Sequence, residues 1–154
     1  MVFGIESIAG KPALASLNIT ARSVAVNRIA RRGAEARQNA AAEAVRTYGK
    51  TLAADHTRAY DEASAVAAKL DLNPPDEPSA EARKEQTRLR KLSGRAFDQA
   101  FLNYMIKDHQ TNIQNFEDQV RAGNGVTSKM AERQLPTLRK HLEMAKMLKS
   151  GAKQ

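Results

Sequence analysis

Imidazole is the side chain in this sequence best suited to chemistry, and it occurs three times, at His56, His109 and His141. Each lies on the apolar stripe of a helix-like segment. One stripe runs Leu52, His56, Ala59, Ala63, Val66, Leu70. The next runs Leu102, Met105, His109, Ile113, Phe116, Val120, and the last Leu138, His141, Ala145, Leu148. These three- and four-residue steps mark one buried helix face. A histidine turned inward must be hydrogen-bonded, bound to a metal, or left at an energetic cost. Three of them, in a chain with only 5% aromatic residues, point to a shared polar site.

Two chemistries fit such a site. Three imidazoles at one level suit zinc, copper or iron, with a position left for water or a fourth ligand. Alternatively, the histidines form a neutral hydrogen-bonded cluster with Asp55, Asp98, Tyr60 or Tyr104, which holds helices in register. Asp55, Asp98, Tyr104 and Asp108 are the polar residues expected to support the site from outside in either case. A di-iron site is disfavoured. It needs Glu-x-x-His pairs, and the residues three before the histidines are Ala53, Ile106 and Leu138. Phe97, Phe101 and Tyr104 line the face beside Asp98 and read as core. There is no glycine-rich phosphate loop and no Gly-x-Ser-x-Gly elbow, so no catalytic residues are assigned.

The elements that must position these residues are helical. Alanine, leucine, arginine, lysine and glutamate dominate, and tryptophan is absent, a composition that favours helix. An irregular lead is expected at 1–12, and a first helix at 13–32 ending before Gly33. A second helix spans 34–70. The run Asp71-Leu-Asn-Pro-Pro-Asp-Glu-Pro78 cannot continue it and forms a proline-rich crossover. A polar helix follows at 79–91, with Leu92-Ser93-Gly94 as a corner or an internal break. The best amphipathic helix spans 95–121 and ends at Gly123-Asn-Gly125. The last helix spans 127–149, with a kink expected at Pro136. Four long helices with one longer crossover make a single four-helix-bundle domain over 13–150, with a tail at 151–154.

Axial position tests the shared site. Helices rise about 1.5 Å per residue, so His109 and His141 both stand roughly 20 Å from the turn at Gly123. They are level. Asp98 stands roughly 16 Å further along the helix of His109, so one ion cannot bind both. His56 joins the pair only if residues 79–91 fold over the bundle end rather than extending the following helix.

Lys+Arg 25 against Asp+Glu 17 gives a net charge of +8. This excess favours anionic partners. The basic run Arg83-Lys-Glu-Gln-Thr-Arg-Leu-Arg-Lys91 lacks interleaved aromatics for base stacking, which argues against sequence-specific nucleic-acid binding. With no cysteine, disulfides and thiolate metal sites are excluded. No stretch has the apolar length of a membrane span, and the first residues do not read as a secretory signal.

Several blocks together carry a family resemblance: Ala54-Asp-His-Thr-Arg-Ala-Tyr-Asp-Glu62, Leu92-Ser-Gly-Arg-Ala-Phe-Asp98, Tyr104, Asp108-His-Gln110 and Leu135-Pro-Thr-Leu-Arg-Lys-His-Leu-Glu-Met-Ala145. The chain resembles the bacterial domain-of-unknown-function family numbered forty-one forty-two over roughly residues 16–148. The resemblance implies a ferritin-like bundle and an exported, periplasmic location, and no established activity. The family's pattern also carries a glutamate in its first helix, where this chain has Ser23 or Ala25.

The leading expectation is therefore a small exported all-α, ferritin-like four-helix bundle. It binds a transition metal through His56, His109 and His141, without demonstrated catalysis. A second expectation is a non-enzymatic stress-related or interaction module with a structural His/Asp network, partnered by another protein. A third is a basic protein that binds anionic envelope polymers or lipid headgroups.

Overall fold

The structure is a computed structural model that describes residues 42–71, 80–123 and 125–151. Among the described residues there are four helices: α1 (Glu43–Lys69), α2 (Ala80–Arg90), α3 (Gly94–Arg121) and α4 (Val126–Gly151). Among the described residues there is no strand. The chain is an all-α four-helix bundle, as its composition and periodicity require. The expected lead at 1–12, the helix at 13–32 and the prolines of the crossover lie outside the described residues. The fourth described helix is thus the short polar α2. α4 continues through Pro136 without a break.

Why the helices stop where they do is local chemistry. α1 closes at Leu70, and Asp71 turns into the left-handed region at φ 54°, a conformation that aspartate tolerates better than most residues. α2 and α3 are separate because Ser93 is extended and Gly94 sits at φ 56°. A side chain would be strained there, so the Leu92-Ser93-Gly94 segment is a corner. At its other end α1 has no side-chain cap of its own. The carboxylate of Asp98, on α3, accepts a hydrogen bond from the Ala42 N–H at 2.9 Å. That places a negative group at the positive end of the α1 dipole.

α3 and α4 pack along much of their length, α1 packs on α4, and α2 packs on α3. The order of contacts makes α1 and α4 antiparallel. Val45, Tyr48 and Leu52, early in α1, share a cluster with Ala145, late in α4. Ala63, Val66 and Ala67, late in α1, meet Met130, early in α4. Two hydrogen bonds pin the turn between α3 and α4. The Gln119 amide donates to the Thr127 hydroxyl at 3.1 Å, and the Ser128 hydroxyl donates to the Val120 carbonyl at 3.3 Å. Gln119 and Ser128 are both buried, so this junction sets the register of α3 against α4.

The apolar core has two ends. Towards the start of α3 lie Phe97, Phe101, Leu102 and Met105, with Tyr48, Leu52 and the two buried residues of α2, Ala82 and Leu89. Phe97 and Phe101 stack at 5.7 Å, and Tyr48 tilts against Phe101 at 6.2 Å. Towards the α3–α4 turn lie Phe116, Ala131, Leu135 and Leu138. In sequence, His109 and His141 fall between the residues of these ends on α3 and α4, and His56 falls between Leu52 and Ala63 on α1. No described helix is long and apolar enough to cross a membrane.

Candidate metal centre

Each of the three long helices brings one histidine to the middle of the bundle. His56 is 4% exposed, His109 1% and His141 0%. Their ring centroids form a nearly equilateral triangle, 5.5 Å for His56–His109, 5.3 Å for His56–His141 and 5.5 Å for His109–His141. One ring nitrogen from each lies within 4.8 Å of one from each of the others. The level pair expected from the helix rise is present. His56 joins it; the expectation tied this to residues 79–91 folding over the bundle end, and the structure shows α2 broken from α3 at Ser93 and Gly94 and packed on α3.

The outward nitrogens fix the orientation of two rings. His109 Nδ1 lies 2.9 Å from the Met105 carbonyl. A carbonyl only accepts, so Nδ1 carries the proton and Nε2 keeps its lone pair. His141 Nε2 lies 2.8 Å from Asp55 Oδ2. The carboxylate likewise fixes the proton on Nε2 and leaves the Nδ1 lone pair free. The remaining nitrogens, His109 Nε2 and His141 Nδ1, are buried with no hydrogen-bond partner, and so is His56 Nε2. Buried polar groups are rarely left in this state. Here three occur in one cluster.

Electrostatics keep the rings neutral. Burial pushes His56 well below the usual imidazole range, and the neighbouring His109 and His141 push it further. Burial is also the first cause at His109, which falls to about 4, with His141 adding to the shift and the Met105 carbonyl opposing it. His141 is lowered by burial as well, against the opposing pull of Asp55. A neutral imidazole is the form that binds metal.

The supporting residues divide. Asp55 belongs to the site, since it accepts from His141 while pairing with Arg58. Asp98 does not. It is the partner of the Ala42 N–H, and burial raises its carboxyl above the usual range. Asp108 accepts from the Asn112 amide at 2.9 Å and stands 3.8 Å from His109 Nδ1, the nitrogen already bonded to Met105. Tyr104 is half-buried against the apolar cluster that holds Phe101, and Tyr60 is half-buried on α1.

Sequence reasoning missed two features. Tyr48 is buried and donates to the His141 carbonyl at 3.0 Å. Burial and the negative charge of Asp108 hold its phenol protonated well above the usual range. Its position one turn before Leu52 on the same stripe was the available signal. The second feature is a cavity of about 180 Å³ whose wall includes His56 and His141. Arg58, Glu62, Arg133, Gln134 and Thr137 also line it. On a helical wheel these read as solvated surface residues, so nothing in their types announced a shared opening.

The donor set fits a transition metal. Three buried imidazole nitrogens have no hydrogen-bond partner, and outer partners orient the rings of His109 and His141 in the manner typical of metal-bound histidine. Nitrogens bound to one tetrahedral ion stand roughly 3.4 Å apart, from metal–nitrogen bonds of about 2.0–2.1 Å. The ring nitrogens, within 4.8 Å of one another, would draw closer around a bound ion. Compared with known proteins, residues 28–148 match the model of a family described as "Domain of unknown function (DUF4142)". No curated protein and no solved structure matches the chain.

Proposed function

The chain belongs to the DUF4142 family, and on that premise we propose that it binds one transition-metal ion, zinc, copper or iron, in the middle of the bundle. His56 Nε2, His109 Nε2 and His141 Nδ1 are the ligands, and Asp55 orients His141 from outside. A single observation carries this reading: three buried ring nitrogens, converging from three helices, have no hydrogen-bond partner. A purely structural network would pair these atoms, because each unpaired buried group costs about 1–3 kcal/mol. The Asp55–His141 pair supports the structural alternative only for the outward nitrogen.

Three ligands leave a tetrahedral ion one further position, and an ion so held supplies Lewis-acid character there. We assign no reaction to it. The family resemblance supports two further parts of the proposal, a ferritin-like helix arrangement and an exported location, the latter checked by cell fractionation.

The test is elemental analysis of protein purified without an affinity tag, followed by thermal unfolding with and without added metal. Near-stoichiometric metal, or a melting temperature that rises with zinc, is expected, since a ligand of the folded state alone must stabilise it. His109→Ala and His141→Ala should each abolish that rise. If the wild-type protein neither carries metal nor responds to zinc, copper or iron, the centre is structural and the proposal fails.

A further inference from the structure

The cavity against the histidines has a shape and chemistry of its own. Resting on the metal-site reading, we propose that it is an exogenous-ligand pocket, which admits a small anion of a few atoms to the fourth position of the bound ion. Three features of the site lead there.

The first is charge. A divalent ion held by three neutral imidazoles keeps its full positive charge inside the bundle. Two carboxylates stand beside the ligand rings, and both have partners: Asp55 is bonded to His141 and paired with Arg58, and Asp108, 3.8 Å from His109 Nδ1, accepts from Asn112. Glu62 on the cavity wall is likewise paired with Arg133. Uncompensated charge in a low-dielectric interior is costly. A monovalent anionic fourth ligand halves that charge, where a neutral one leaves it whole.

The second is access. His56 and His141 form part of the cavity wall, so a molecule inside reaches two of the three ligand rings. The volume, about 180 Å³, holds several waters or one small anion.

The third is the wall. The Thr137 hydroxyl, the Gln134 amide and the guanidinium groups of Arg58 and Arg133 supply donors, and the buried Phe116 and Leu138 add apolar wall. The Gln134 amide makes long contacts, 3.3 Å to Glu62 and 3.5 Å to the Ala59 carbonyl. Such bonds exchange readily for an anion.

Cobalt(II) titration provides the test, because the visible spectrum of cobalt reports its ligands directly. Cobalt-loaded wild-type protein should give a spectrum that changes saturably with azide, one azide per cobalt. Thr137→Phe, an exposed position on the cavity wall, should keep the cobalt spectrum and lose the azide response. Arg133→Gln, which leaves the ligands untouched, should keep both and weaken azide binding several-fold. Cobalt bound without any azide response, or an azide response equal in wild type and Thr137→Phe, overturns the pocket and leaves the metal site standing. Failure of cobalt to bind the wild-type protein overturns the metal reading and the pocket with it.

Discussion

Asp55 acts on His141 in two ways: it fixes which nitrogen carries the proton, and it raises the basicity of the other. Outer partners of this kind typically contribute 10- to 100-fold in metal affinity. Asp55→Ala should therefore weaken zinc binding by about 10–100-fold in a calorimetric titration, with the fold retained. The metal-free protein should also be acid-sensitive. His109 falls to about 4 in the folded chain and returns to about 6.5 when unfolded, so the unfolded state binds more protons between these values. Stability is then full above pH 6.5 and declines as pH falls towards 4, by about 1.4 kcal/mol per pH unit for each such proton. Chemical denaturation of metal-free protein at pH 7.5, 5.5 and 4.5 checks this, and a flat profile would count against buried neutral rings. His109 and His141 were legible as a pair because both are counted from one turn. His56 was not, because its level depends on whether the chain breaks at Ser93 and Gly94. The break is a backbone property that residue types permit without dictating. The expectation for Asp98 rested on its polarity within an apolar run, and the structure gives it the Ala42 N–H as partner; Asp108 accepts from Asn112 and stands 3.8 Å from His109 Nδ1.

At the level of helices, two junctions hold the histidines level. The Gln119–Thr127 and Ser128–Val120 bonds fix α3 against α4, and Asp98 ties α3 to the start of α1. Asp98→Ala should lower stability by about 1 kcal/mol, the usual value of a lost acceptor at a helix N-terminus. Metal affinity should change little, because the site lies elsewhere along α3. Measuring both quantities on the same variant separates a role in the scaffold from a role at the centre. Loss of metal binding in Asp98→Ala would show that the start of α1 controls the position of His56. Phe116→Ala removes a ring from the core beside the cavity, and large-to-small changes of that kind cost about 3–5 kcal/mol. The helices themselves were largely readable from apolar periodicity. Their lateral arrangement was not, since a stripe tells which face is buried and not which neighbour covers it.

Across the whole molecule, charge and core organisation make separate predictions. If the excess of +8 serves contact with anionic polymers or headgroups, binding to anionic vesicles should be strong at low salt and fall steeply by physiological salt. Absence of binding at low salt would leave the charge as a property of a solvated surface. Metal binding should instead appear in amide hydrogen exchange, slowing α1, α3 and α4 together, because each must release its ligand to open. Slowing confined to one helix would contradict a centre shared by three. A chain without cysteine has no covalent cross-link to draw on. An ion held by histidines from α1, α3 and α4 would join segments far apart in sequence, as a staple that the surroundings can add or withdraw. Resistance to proteolysis follows the population of opened chains, so the lifetime of this protein would track the free metal around it and its abundance would record metal supply.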